Sequence, residues 1–125
     1  MSYAGDVTPQ QAHEILNDQP DAVLIDVRTT EEWRTVGVPA IDGARFVEWN
    51  QWPTGQPNPD FIAQATEGLD PNQTILLLCR SGARSIAAAV ALTEAGFENA
   101  YNVLEGFEGR SAPGWRDAGL PWQQG

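Results

Sequence analysis

The stretch Thr74-Ile75-Leu76-Leu77-Leu78 constrains the fold more than any other part of the chain. It is the most apolar run present, it passes directly into Cys79, and an alanine-rich segment from about Arg84 to Ala95 follows, closed by Gly96. A short continuous apolar run needs cover on both faces, which a strand inside a parallel sheet receives. Alanine favours helix, and a glycine just past the last turn ends one. The unit therefore reads as buried strand, short loop and helix, with Cys79 at the carboxyl end of the strand. In open α/β sheets, ligands bind beyond that end.

The run Ala22-Val23-Leu24-Ile25-Asp26-Val27 has the same character and is predicted to be a second central parallel strand. Thr8-Pro9-Gln10-Gln11 starts a helix, with Thr8 as N-cap, Pro9 in its first position and Gln11 placed for a capping box. Ala12, Ile15 and Leu16 give that helix a buried face. Thr29 and Glu32 suit a second capping box before a short helix carrying Trp33. Gly37, Val38 and Pro39 break the chain before a strand expected from Ile41 to Val47. Glu48 to Asn58, with Trp49, Trp52, Pro53, Gly55 and Pro57, reads as a long irregular loop. A helix from Pro59 to about Leu69 is expected next, capped by Asn58. Asn99 to Leu104 is a last strand, and Gly114 to Gly119 a short terminal helix. Strands alternating with helices define an α/β fold, with a mostly parallel sheet and helices on both faces. No internal repeat or linker divides the chain, so residues 1–125 read as one domain.

The formal charge of -10 and a pI near 4.2 disfavour a nucleic-acid backbone or an anionic membrane surface as partner. No apolar run reaches the ~18 residues of a membrane span, and residues 1–6 lack the basic start of a leader, so a cytoplasmic location is expected. All seven basic residues are arginines, and Arg80 and Arg84 follow the only cysteine closely. A basic island in an acidic chain points to a small anionic substrate. One cysteine cannot close an internal disulfide, and the only histidine, His13, is far away in sequence, so no metal site is expected.

Cys79-Arg80-Ser81-Gly82-Ala83-Arg84-Ser85 must turn sharply between strand and helix. Such a turn can aim successive N–H groups at one point, and the helix N-terminus adds positive potential. A thiolate is the nucleophilic form of cysteine, and these surroundings favour it without a histidine base. Gly82 tolerates a backbone conformation closed to other residues. Arg80 and Arg84 offer fixed guanidinium donors to an incoming anion, and Ser81 and Ser85 offer hydroxyls. A buried structural thiol flanked by solvated arginines is the plainer alternative.

Cys79-Arg80-Ser81-Gly82-Ala83-Arg84 resembles the six-residue active-site loop of rhodanese-type sulfurtransferases. Leu24-Ile25-Asp26-Val27-Arg28 with Glu31, Glu32 and Trp33 is similar to that family's first strand and following helix. Ile41-Asp42-Gly43-Ala44, and Gly96-Phe97 through Val103-Leu104-Glu105-Gly106-Phe107 to Trp115 and Gly119-Leu120-Pro121, are similar to later blocks. A histidine is absent before Ile41, where Val38-Pro39-Ala40 stands, and Glu105-Gly106 replaces a paired glycine.

The resemblance implies a rhodanese-like three-layer α/β/α domain with a central, mostly parallel sheet of about five strands. It implies a sulfurtransferase in which Cys79 takes sulfur from a donor such as thiosulfate as a persulfide. The sulfur then passes to cyanide, a small thiol or a protein thiol, with no cofactor. Arg80, Ser81, Gly82, Ala83, Arg84 and Ser85 would bind substrate. Asp26 and Arg28 would orient the loop or simply cap the strand end, and Trp49 would wall the pocket or fill the core. A binding or redox-sensing module without turnover is the alternative from another class. A cysteine phosphatase or arsenate reductase is disfavoured, because four residues rather than five separate Cys79 from Arg84.

Overall fold

The computed structural model describes residues 2–125. Its main sheet has five strands, all parallel: β1 (Gly5–Val7), β2 (Val23–Asp26), β4 (Arg45–Phe46), β5 (Ile75–Leu78) and β6 (Ala100–Val103), in the order β1-β6-β5-β2-β4. Helices α1 (Pro9–Asp18), α2 (Thr30–Thr35), α3 (Phe61–Thr66) and α4 (Arg84–Glu94) connect them. A two-stranded antiparallel ribbon of β3 (Val38–Pro39) and β7 (Trp122–Gln123) lies apart.

The most apolar strand takes the centre. All four residues of β5 are fully buried, and alternation sends them to opposite faces. Ile75 and Leu77 pack with Ile25, Phe61, Ala65, Ala88, Ala89 and Leu92, the layer under α3 and α4. Leu76 and Leu78 pack with Ala12, Leu24, Phe107 and Trp115, the layer under α1 and the C-terminal segment. Each such aliphatic side chain contributes about 1.5–3 kcal/mol relative to exposure. Cys79 continues the odd-numbered side of this alternation and joins the α4 face.

Both expected capping boxes are present, Thr8 with Gln11 and Thr29 with Glu32. Other expectations need correction. Of Ile41 to Val47, only Arg45–Phe46 pairs with β2, because residues 41–44 close a turn through Ala44 N–H to the Ile41 carbonyl. Val38 and Pro39 do not merely break the chain; they form the ribbon with Trp122 and Gln123, whose short ladder tolerates a proline. Asn58 does not cap α3: its Oδ1 accepts from Asp60 N–H at 3.0 Å, shaping a turn before a helix that starts at Phe61. Residues 114–119 form turns rather than a helix. There the Trp115 and Arg116 N–H groups go to the carbonyls of Gly106 and Phe107.

Candidate active site

Segment 105–108 crosses the end of β5 and fixes the start of the cysteine loop. Phe107 N–H donates to the Cys79 carbonyl at 2.7 Å, and Glu108 N–H donates to the Arg80 carbonyl at 3.0 Å. Gly106 makes this approach possible: φ there is 58°, and a Cβ would overlap the Cys79 carbonyl oxygen and come within 2.6 Å of the Arg80 carbonyl carbon. With both carbonyls held on that side, the loop turns over the sulfur. Gly82, at φ 107°, donates its N–H to Cys79 Sγ at 3.0 Å. Where the sequence allowed several converging amides, this one reaches the sulfur within hydrogen-bond distance among the described residues.

Ser85 Oγ lies 3.2 Å from Sγ on the first turn of α4 and is fully buried. It donates to Asn102 Oδ1 at 2.5 Å, and Asn102 Nδ2 donates to Asp6 at 3.0 Å. Asn102 is therefore a buried neighbour of the site that sequence reading did not single out. It sits inside β6 and reaches the loop through contacts separated by 17 residues. Cys79 itself is 1% exposed.

Arg84 points to Glu32, meeting both carboxylate oxygens at 2.8 and 2.9 Å. Burial opposes ionisation of Glu32, but hydrogen bonds from Arg84 and Thr29 outweigh it and hold the carboxyl below the usual glutamate range. The Glu32 hydrogen bond raises Arg84, against burial, with help from the charges of Glu32, Cys79 and Asp26. A depressed carboxyl stabilises the fold above its unfolded titration point, so this tie between α2 and the loop holds at neutral pH. It is lost as pH falls through the lowered value, below the normal glutamate range. Arg80 is mostly exposed and makes a looser pair with Glu108 at 3.5 Å.

These groups line a cleft of about 480 Å³ formed by Thr29, Glu31, Glu32, Val36, Trp52, Arg80, Arg84 and Glu108. Ser81, Gly82 and Ala83 face a second hollow with Asn102, Leu104 and Glu105. A larger cleft of about 590 Å³ beside Trp33 and Phe46 includes none of the residues 79–85. The chemistry therefore assigns the site, not the size of the hollow.

Asp26 and Arg28 form a fully buried ion pair, with Arg28 Nε and Nη2 on the two carboxylate oxygens and Nη2 also on the Gly37 carbonyl. Neither donates to nor accepts from residues 79–85 among the described hydrogen bonds. The Arg28 guanidinium instead lies 4.2 Å from the Phe107 ring centre, beneath the residue whose N–H holds the Cys79 carbonyl. The pair thus supports the loop from one layer below.

Trp49 packs edge-on against Phe61 in the core, whereas Trp52, half exposed, lines the cleft. His13 packs against Trp115. Glu105, which replaces the first of the paired glycines in the family this chain resembles, adopts a left-handed φ of 66°. Its Oε1 accepts the N–H groups of Arg110, Ser111 and Ala112 at 2.9 to 3.1 Å, which offset that strain and hold its carboxyl below the usual range. Among the described residues, no group of three or more His, Cys, Asp or Glu could hold a metal, and no helix is long and apolar enough to cross a membrane.

A parallel α/β sheet whose central strand ends in a thiol, roofed by a glycine turn and a helix N-terminus, defines a cysteine-loop domain. Comparison with known proteins specifies which kind. The chain belongs to the rhodanese-like family: the family model described as STR4 middle domain matches residues 4–125. The crystal structure of Rv0390 from M. tuberculosis is similar at TM-score 0.89 and 48% identity, covering 99% of this chain and 100% of that one. An uncharacterized protein of Rickettsia conorii, RC0915, is 38% identical over 115 residues, 90% of this chain and 92% of its own. Thiosulfate sulfurtransferase GlpE of Actinobacillus succinogenes is 29% identical over 118 residues, 94% of this chain and 89% of its own.

Proposed function

We propose that this protein is a sulfurtransferase that carries a sulfane sulfur on Cys79, accepting it from a donor such as thiosulfate and passing it to cyanide or a thiol. The observation that carries the reading is the contact set of Sγ: an amide N–H at 3.0 Å and a hydroxyl oxygen at 3.2 Å. The Gly82 amide can donate to the sulfur when it bears negative charge, while the Ser85 proton is committed to Asn102 and its oxygen can accept from the protonated thiol. No imidazole is needed to form the nucleophile. The naming of GlpE as a thiosulfate sulfurtransferase supports the same reading.

In the first half-reaction the Cys79 thiolate attacks the outer sulfur of thiosulfate. The new bond joins Sγ to that sulfur, the old sulfur–sulfur bond breaks, and sulfite leaves with the electron pair. In the second, a thiophilic acceptor attacks the outer sulfur of the persulfide and the thiolate returns. Sulfur moves without any external oxidant or cofactor. Because the donor residue leaves before the acceptor reacts, turnover with thiosulfate and cyanide gives parallel double-reciprocal lines, the pattern of a ping-pong mechanism. Intersecting lines would mean that both substrates bind together and that no persulfide enzyme lies on the path.

A further inference from the structure

The cleft lined by Arg80 and Arg84, the two arginines of the cysteine loop, has both of them already paired with carboxylates. Arg84 is held by both oxygens of Glu32, and Arg80 lies 3.5 Å from Glu108. Glu31 also lines the cleft and pairs with Arg34 outside it, at 3.2 Å. Two positive charges therefore face three negative ones around the mouth, in a chain whose net charge is -10. A doubly charged oxyanion entering here must approach those carboxylates and compete with them for the same guanidinium donors. Trp52 adds an exposed indole to the same rim, a surface suited to an organic group.

We propose that Glu32 and Glu108 determine donor specificity. By occupying Arg84 and Arg80, they turn the cleft away from dianionic sulfur oxyanions. They favour a sulfane sulfur borne on an uncharged or cationic organic thiol, R–S–SH. The Cys79 thiolate attacks the outer sulfur, the bond from that sulfur to R–S breaks, and R–S⁻ leaves with the electron pair and takes up a proton. The hydrogen on the outer sulfur travels with it, so one persulfide is exchanged for another with no change in overall oxidation state. This inference rests on Cys79 as the sulfur carrier, so its test separates charge from chemistry.

The variants are Glu32→Gln and Glu108→Gln. Glutamine keeps the capping box with Thr29, so α2 retains its start. In a Cys79→Ser background, where sulfur uptake is blocked, thiosulfate affinity is read by NMR titration at the Trp52 indole N–H, with circular dichroism checking the fold. Each variant tightens thiosulfate binding about three- to tenfold, the effect of removing one charge a few ångströms from a dianion near the protein surface. With Cys79 intact, kcat/KM for thiosulfate rises by a similar factor through KM, while kcat/KM for cysteamine persulfide does not rise. Unchanged or weaker thiosulfate binding in both variants would overturn the proposal, as would an equal rise for both donors. Failure of Cys79 to take up sulfur would contradict the function proposed above but leave the affinity measurement to decide this point.

Discussion

Cys79→Ala is expected to abolish sulfur transfer while leaving the fold in place. The chain has one cysteine, so no second thiol can take over the sulfur. Ser85 is the nearest hydroxyl, but it donates to Asn102 and remains a weak nucleophile without a base. Loss of a residue that forms the covalent intermediate lowers turnover by about three orders of magnitude or more. The structural cost is small: one sulfur atom leaves a site bordered by a hydroxyl and an amide, and such a truncation is on the order of 1 kcal/mol. Turnover with thiosulfate and cyanide, measured beside a thermal melt, checks both halves. An alanine variant that kept activity would remove the persulfide from the mechanism.

Gly106→Ala is expected to damage both stability and activity, although Gly106 is not among the residues that would touch substrate. A left-handed φ costs a non-glycine residue about 1–2 kcal/mol by itself. At Gly106 the new methyl also meets the carbonyls of Cys79 and Arg80, which are backbone atoms and cannot rotate away. Relief requires segment 105–108 to withdraw, which breaks the hydrogen bonds from Phe107 and Glu108 that hold the loop. The combined loss lowers the melting temperature by on the order of 10 °C and reduces turnover even in the protein that remains folded. A melting temperature within about 2 °C of the parent, with full activity, would show that this crossing does not hold the loop.

The features legible in the sequence are those written locally. The β5 run, the alanine-rich α4 and the two capping boxes depend on neighbours within a few residues, and each forms where the pattern indicated. Strand β1 escaped notice because three residues, Gly5-Asp6-Val7, carry no apolar run; their pairing with β6 across the chain makes them a strand. The β3–β7 ribbon was hidden for the same reason, with its partners more than eighty residues apart.

The candidate site divides along the same line. Cys79 and its loop stand out as a contiguous motif, but their surroundings come from distant elements. Glu32 was readable as the third residue of a capping box. Nothing local revealed that its carboxylate also receives Arg84 from 52 positions away. Asn102 and Glu108 are likewise brought in by topology. The two loop tryptophans could not be told apart by residue type, and packing sends Trp49 to Phe61 while leaving Trp52 at the cleft. The glutamate in place of the first glycine, Glu105, keeps the left-handed turn by spending its carboxylate on three amides of the next loop.

The most direct measurement is the intact mass of the reduced protein before and after thiosulfate, with Cys79→Ser treated in parallel. A gain of about one sulfur atom, ~32 Da, in the parent alone, lost again on adding cyanide, is the expected result. No gain in the parent from thiosulfate or from cysteamine persulfide, or the same gain in Cys79→Ser, would contradict a sulfur carried on Cys79.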